Sequence, residues 1–139
     1  MPTSKSALDQ QVGGKHYNGL IVQPVELAYA NRYDDCIFSC LKYVMRHHIK
    51  GGFEDLQKGG HFCFLRAEMI ERHGEFPAAR EHLRINKVAM LNGTLAPESA
   101  IMRALHNWSI ADPGADHAEI AADISSRFKA LAMHRYPPL

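Results

Sequence analysis

Apolar residues recur along this chain at helical spacing. The clearest stripe is Ile37, Cys40, Leu41, Val44, Met45 and His48. Steps of three and four residues put these positions on one face of an α-helix. Asp34 or Asp35 is placed to cap its start, and Gly51-Gly52 to end it. Upstream, Pro24 suits the first turn of a short helix running to about residue 31. Downstream, the pattern predicts a helix over residues 53–72. Glu54 and Asp55 favour its N-terminus through the macrodipole, and Phe62, Leu65 and Met69 make its inner face. Gly59-Gly60 interrupts that helix. Each glycine costs roughly 1 kcal/mol relative to alanine, so the pair points to a kink or to a close approach by another backbone or a ligand.

A further helix is predicted from Pro77 to just short of Gly93, and another from Pro97 to Trp108. Asp112-Pro113-Gly114 makes a turn. Asp116 with Glu119 resembles a capping box that opens a last helix reaching about Met133, and Pro137-Pro138 ends the chain. No alternating strand pattern is visible. The prediction is an all-α fold, a compact bundle of five or six helices with short loops. Residues 1–11 read as a flexible polar tail, and residues 12–139 as a single helical domain.

Composition narrows the function classes. An apolar fraction of 46% is too high for a disordered chain. Net charge is +1, and it is balanced along the chain: nine Lys/Arg face nine Asp/Glu over residues 1–75, and seven face six over residues 76–139. Binding of nucleic acid through overall charge is therefore not expected. No apolar run approaches membrane-spanning length. Three cysteines, Cys36, Cys40 and Cys63, read as reduced and cytosolic. The apolar residues of the last third, Ile101, Leu105, Trp108, Ile120, Ile124, Phe128 and Leu131, are either the core or a face for a second copy, and a homo-oligomer is expected.

The candidate chemistry lies in the first half. Lys42 and Arg46 are four apart and share the face opposite the apolar stripe, with Tyr43 beside them. Two cations and a ring could hold a phosphate and stack a base, although a solvated cation row has the same spacing. Gly13-Gly14-Lys15-His16-Tyr17 could offer backbone N–H groups to an anion. It is not a P-loop, because the full glycine pattern is absent and His16 stands where the hydroxyl that would ligate magnesium belongs. Glu54 and Asp55, followed by Lys58 and His61, could bind magnesium or accept a proton; capping plus an ion pair is the plainer reading. Cys36 and Cys40 lack the second ligand pair of a zinc site and read as small core residues. Glu68-Met69-Ile70-Glu71 matches only half of the acidic motif of helical nucleotide pyrophosphohydrolases.

Taken in order, Gly-Gly-Lys-His-Tyr at 13–17, Gln23-Pro24-x-Glu26, Lys42-Tyr43-x-x-Arg46 and Glu54-Asp55-Leu56-x-Lys58 with His61 following form one set. This set resembles a small phage-encoded family, often labelled SaV-like, largely of unknown function, which includes a coliphage nucleotide kinase that lacks a P-loop. The resemblance covers residues 12–72 and leaves 73–139 as a C-terminal helical extension. It implies a nucleotide ligand. Lys15, Lys42, Arg46 and Lys58 would neutralise phosphates, Tyr17 or Tyr43 would stack on a base, and His16, Gln23 and His61 would complete the site. Asp55, with Glu54, would hold magnesium; Asp55, Arg46 and Lys42 would be the catalytic set for transfer from ATP to a deoxynucleoside monophosphate. Binding and sequestering a nucleotide without turnover is the alternative. The expected location is the cytoplasm of an infected bacterial host.

Overall fold

The computed structural model describes residues 6–9 and 19–139. A short 3-10 turn at Ala7–Asp9 precedes six α-helices. These are α1 (Pro24–Asn31), α2 (Asp35–Arg46), α3 (Gly52–His73), α4 (Ile85–Leu91), α5 (Ala96–Ser109) and α6 (His117–Arg135). No strand is present among the described residues. No helix among them is long and apolar enough to cross a membrane.

Helix starts follow local chemistry. Pro24 opens α1, where its missing N–H costs nothing. Asp34 caps α2 by accepting from the Ile37 N–H at 2.9 Å, and Asp116 caps α6 by accepting from the Glu119 N–H at 3.0 Å. Each such cap stabilises a helix by about 1 kcal/mol. The second Asp34 oxygen accepts from Arg66 Nε at 2.9 Å, so the cap also ties α2 to α3.

The longest helix, α3, lies between α2 and α6 and packs extensively on both. Its inner face is Leu56, Gly59, Gly60, Cys63 and Arg66, whereas the expected Phe62, Leu65 and Met69 are only half-buried. The reason is the glycine pair. A Cβ on Gly59 would lie 2.8 Å from Cδ1 and Cζ of Phe128 and closer still to Cε1. One on Gly60 would lie 3.1 Å from Ser125 Oγ. The glycines let α6 come against α3 and so turn that side of the helix inward. The Phe128 ring is fully buried there.

The stripe on α2 is buried through Ile37, Cys40, Leu41, Val44 and Met45, but its last member is not. His48 is exposed and His47 is buried, because the α-helix ends at Arg46 and the chain changes direction there. A second correction concerns the helix predicted from Pro77. Only Ile85–Leu91 is helical, and residues 74–84 run without helix. That stretch has little apolar periodicity and is anchored through polar groups instead. Buried Asn31 accepts from the Leu83 N–H at 2.7 Å and donates to the Leu83 carbonyl at 2.9 Å, while its own carbonyl accepts from the Arg80 N–H.

In the last third, Ile101, Leu105, Trp108, Ile124, Phe128 and Leu131 are buried in the core, with Ile120 packed at its margin. They form the core, the first of the two roles expected of them.

Candidate functional site

Lys15, His16 and Tyr17 lie outside the described residues. Of the others, the fold brings Lys42, Tyr43, Arg46 and Asp55 into one cluster where α2 passes to α3. Tyr43 is 8% exposed. Its ring packs on Phe62 at 6.0 Å, with Lys42 Nζ 4.7 Å and Arg46 Cζ 5.0 Å from its centroid. The ring is thus covered by its own neighbours.

Asp55 is equally committed. Arg46 Nε donates to its Oδ2 at 3.0 Å, and a second guanidinium nitrogen donates to Oδ1 at 3.4 Å. The Gly51 N–H also donates to Oδ2, at 3.2 Å. A Cβ on Gly51 would fall within 2.7 Å of that carboxylate, so a glycine is needed where the chain turns into α3. Glu54, one residue earlier, is exposed and pairs with Lys58 at 3.3 Å. The two carboxylates expected to hold magnesium together therefore sit on different sides of the helix, one buried and one in solvent. Among the described residues no group of three His, Cys, Asp or Glu side chains is arranged to hold a metal. Gln23 stands apart at the start of α1, where its side-chain amide donates to the Leu8 carbonyl.

His61 falls in a different place. It lines a groove of about 340 Å³ between α3 and α6. Leu56, Gly60 and Phe128 are among the residues that line it, and Phe53 and Phe64 are exposed there at 37% and 50%. Gln57, His61, Ser125 and Lys129 are its polar lining. Exposed rings beside an apolar floor are stacking surfaces, and Lys129 and His61 can meet an anion. Phe53, Phe64 and Lys129 were not in the sequence-derived set. The signal for two of them was present: positions 53, 57, 60 and 64 recur at helical spacing along one side of α3.

Three polar chains, buried in part, hold the helices around these features. In the first, His47 Nδ1 meets the Tyr136 hydroxyl at 2.8 Å and Nε2 meets Glu98 Oε2 at 2.9 Å. Arg135 donates to Glu98 Oε1 at 2.8 Å. Burial holds the His47 pKa below its ordinary value despite Glu98. Arg135 Nε is buried with no hydrogen-bond partner, and an orphaned buried donor costs about 1–3 kcal/mol.

In the second chain, Asn31 Nδ2 donates to the Tyr33 oxygen at 3.0 Å, so the Tyr33 hydroxyl donates onward to His106 Nδ1 at 2.6 Å. Burial pushes the Tyr33 phenol up to about 12 and the His106 imidazole down. His106 Nε2 faces Glu81 Oε1 at 3.6 Å. Arg103 grips Glu81 through two nitrogens at 3.0 and 2.8 Å, which holds the Glu81 carboxyl down at about 2. In the third, Arg66 pairs with Asp34 and lies 4.4 Å over the Trp108 ring. Trp108 Nε1 donates to His117 Nδ1 at 3.0 Å, and His117 Nε2 meets Glu75 at 2.7 Å.

The chain matches no protein-family model, and neither a curated protein nor a solved structure shows significant similarity to it.

Proposed function

We propose that this protein binds a nucleotide in the groove between α3 and α6, and that its chemistry is phosphoryl transfer from ATP, with magnesium, to a deoxynucleoside monophosphate. The observation that carries the binding reading is the groove itself: about 340 Å³, with exposed Phe53 and Phe64, and with His61 and Lys129 among its lining. A base loses little by leaving water for an aromatic wall, and a monophosphate gains a cation. His61 belongs both to this groove and to the ordered motif set that resembles the phage family. Phosphoryl transfer mainly needs positioning and charge neutralisation, which a helical surface can supply.

Binding without turnover is the second reading, and one observation favours it. Asp55 is 2% exposed and already accepts from Arg46 and the Gly51 N–H, so it would have to leave these partners to serve magnesium. The test is direct. The protein is incubated with each deoxynucleoside monophosphate, ATP and magnesium, and nucleotides are separated by chromatography. The kinase reading expects diphosphate from both donor and acceptor. Tight binding with every nucleotide recovered unchanged leaves sequestration. No binding of any nucleotide overturns both.

A further inference from the structure

A pocket of about 530 Å³ opens where the segment before α4, α4 itself and α5 meet. Its lining is Glu81, Arg84, Asn86, Lys87, Met90 and Arg103, and it shares none of these with the α3–α6 groove. Two of the four charges are spent on each other. Both Glu81 oxygens accept from Arg103; one also accepts from the Ile85 N–H at 3.0 Å, and the other faces His106 Nε2 at 3.6 Å. The other two charges are not spent. Arg84 and Lys87 are exposed and make no hydrogen bond or ion pair with any described residue. Asn86 Oδ1 accepts from Arg103 at 3.5 Å, which leaves its two amide hydrogens as donors. Met90, 70% exposed, is the one apolar side chain of the lining, and no aromatic ring takes part.

We infer that this pocket binds a phosphate monoester of a small polar molecule, the class to which sugar phosphates belong. Charge selects the phosphate. Glu81 and Arg103 cancel, so Arg84 and Lys87 leave the lining with two uncompensated positive charges. A phosphate monoester carries about −1.5 to −2 at pH 7 and matches that pair. A single carboxylate would match only one of them. A guanidinium fork and an ammonium are the usual partners of phosphate oxygens. Volume selects the ester over the free ion. A bare phosphate would leave most of the space empty, whereas the volume lies within the range of pockets that hold whole small molecules. The lining also selects against a nucleotide. It offers a base no ring to stack on, and it offers hydroxyl oxygens the Asn86 amide. The site is independent of the nucleotide reading, since it uses other residues on other elements.

The probe is ribose 5-phosphate, with ribose and inorganic phosphate as its two halves. The readout is the side-chain amide signal of Asn86 and the methyl signal of Met90 in nuclear magnetic resonance of the full chain at physiological salt. Ribose 5-phosphate should move both signals saturably. Ribose should move neither, and inorganic phosphate should bind more weakly than the ester. Arg84→Ala and Lys87→Ala each remove an exposed side chain without a partner, so the fold should be kept, and each should weaken binding of the ester about tenfold. His61→Ala with Lys129→Ala, in the α3–α6 groove, should leave it unchanged. Signals indifferent to millimolar ester overturn the site. Weak shifts spread over exposed cations such as Arg127, and undiminished in both single variants, mean an adventitious ion only and overturn it as well. Equal binding of inorganic phosphate overturns the ester class, and loss of binding in the groove variant overturns the location.

Discussion

Gly59→Ala is the substitution on which helix propensity and packing disagree most clearly. Alanine is favoured over glycine inside a helix by about 0.8–1.0 kcal/mol, so propensity alone predicts a more stable protein. The new methyl, however, would lie 2.8 Å from two ring carbons of Phe128 and closer to a third. That ring is fully buried and cannot move aside as a surface side chain would. Overpacking costs about 1–3 kcal/mol, and contacts this short with a ring that cannot yield fall in the upper part of that range, about 2–3 kcal/mol. Packing wins, and the net loss should be about 1–2 kcal/mol. With an unfolding entropy near 2.1 cal/mol/K per residue over 139 residues, each kcal/mol shifts Tm by about 3.4 °C. Calorimetry should therefore show Tm lowered by about 3–7 °C. The matched control is Gly60→Ala, whose methyl meets the rotatable Ser125 hydroxyl at 3.1 Å. It should stay within about 0.5 kcal/mol of the parent, the helical gain offsetting a small adjustment. Phe128→Leu should make Gly59→Ala less costly than in the parent, a coupling a double-mutant cycle reads directly. A Gly59→Ala protein as stable as the parent, or less damaged than Gly60→Ala, refutes the close packing of α6 on α3.

Asp55→Ala should cost about 2 kcal/mol in urea unfolding, because it removes a charge-assisted partner of Arg46 and the acceptor for the Gly51 N–H. Loss of turnover in that variant alone therefore does not identify Asp55 as catalytic. Stability should fall as pH drops below about 6.5. His47 and His106 are held below their ordinary pKa by burial, so the unfolded chain takes up protons first. Stability is full above the unfolded value and is lost as pH falls toward the lowered folded one, and replacing both with Gln should flatten that slope. A second loss should appear as pH falls from 4.5 toward about 2, where Glu81 protonates and releases Arg103. Arg103→Ala should remove that second limb. Finally, a thiol reagent should titrate Cys36 in the folded protein and all three cysteines only in denaturant, since Cys40 and Cys63 are buried.

Local signals in the sequence matched the fold where local chemistry decides it. The Ile37–Met45 stripe, the Asp34 and Asp116 caps and the meaning of Gly59-Gly60 all depend on spacing or on a single residue type. The stretch after Pro77 did not follow its pattern because Asn31, 52 positions from Leu83 in sequence, holds it by side-chain hydrogen bonds. The Lys42, Arg46 and Asp55 positions do come together, but spacing could not show that Arg46 and Asp55 would pair with each other while Lys42 lies over the Tyr43 ring. The groove residue Lys129 lies far in sequence from α3, and the Tyr136–His47–Glu98–Arg135 chain joins positions up to 89 apart. Only the packing of α5 and α6 on α2 and α3 makes them neighbours.

The measurement that bears most directly on nucleotide binding in the α3–α6 groove is a melting curve with and without deoxynucleoside monophosphates, ATP and magnesium. It compares the parent protein with a His61→Ala, Lys129→Ala double variant. Both side chains are exposed, so the unliganded variant should melt as the parent does. A ligand at 100 times its Kd should stabilise the parent by about 2.7 kcal/mol, a rise of about 9 °C, and the double variant by far less. An unchanged Tm with every nucleotide at millimolar concentration, or an equal rise in the double variant, contradicts the groove as the nucleotide site.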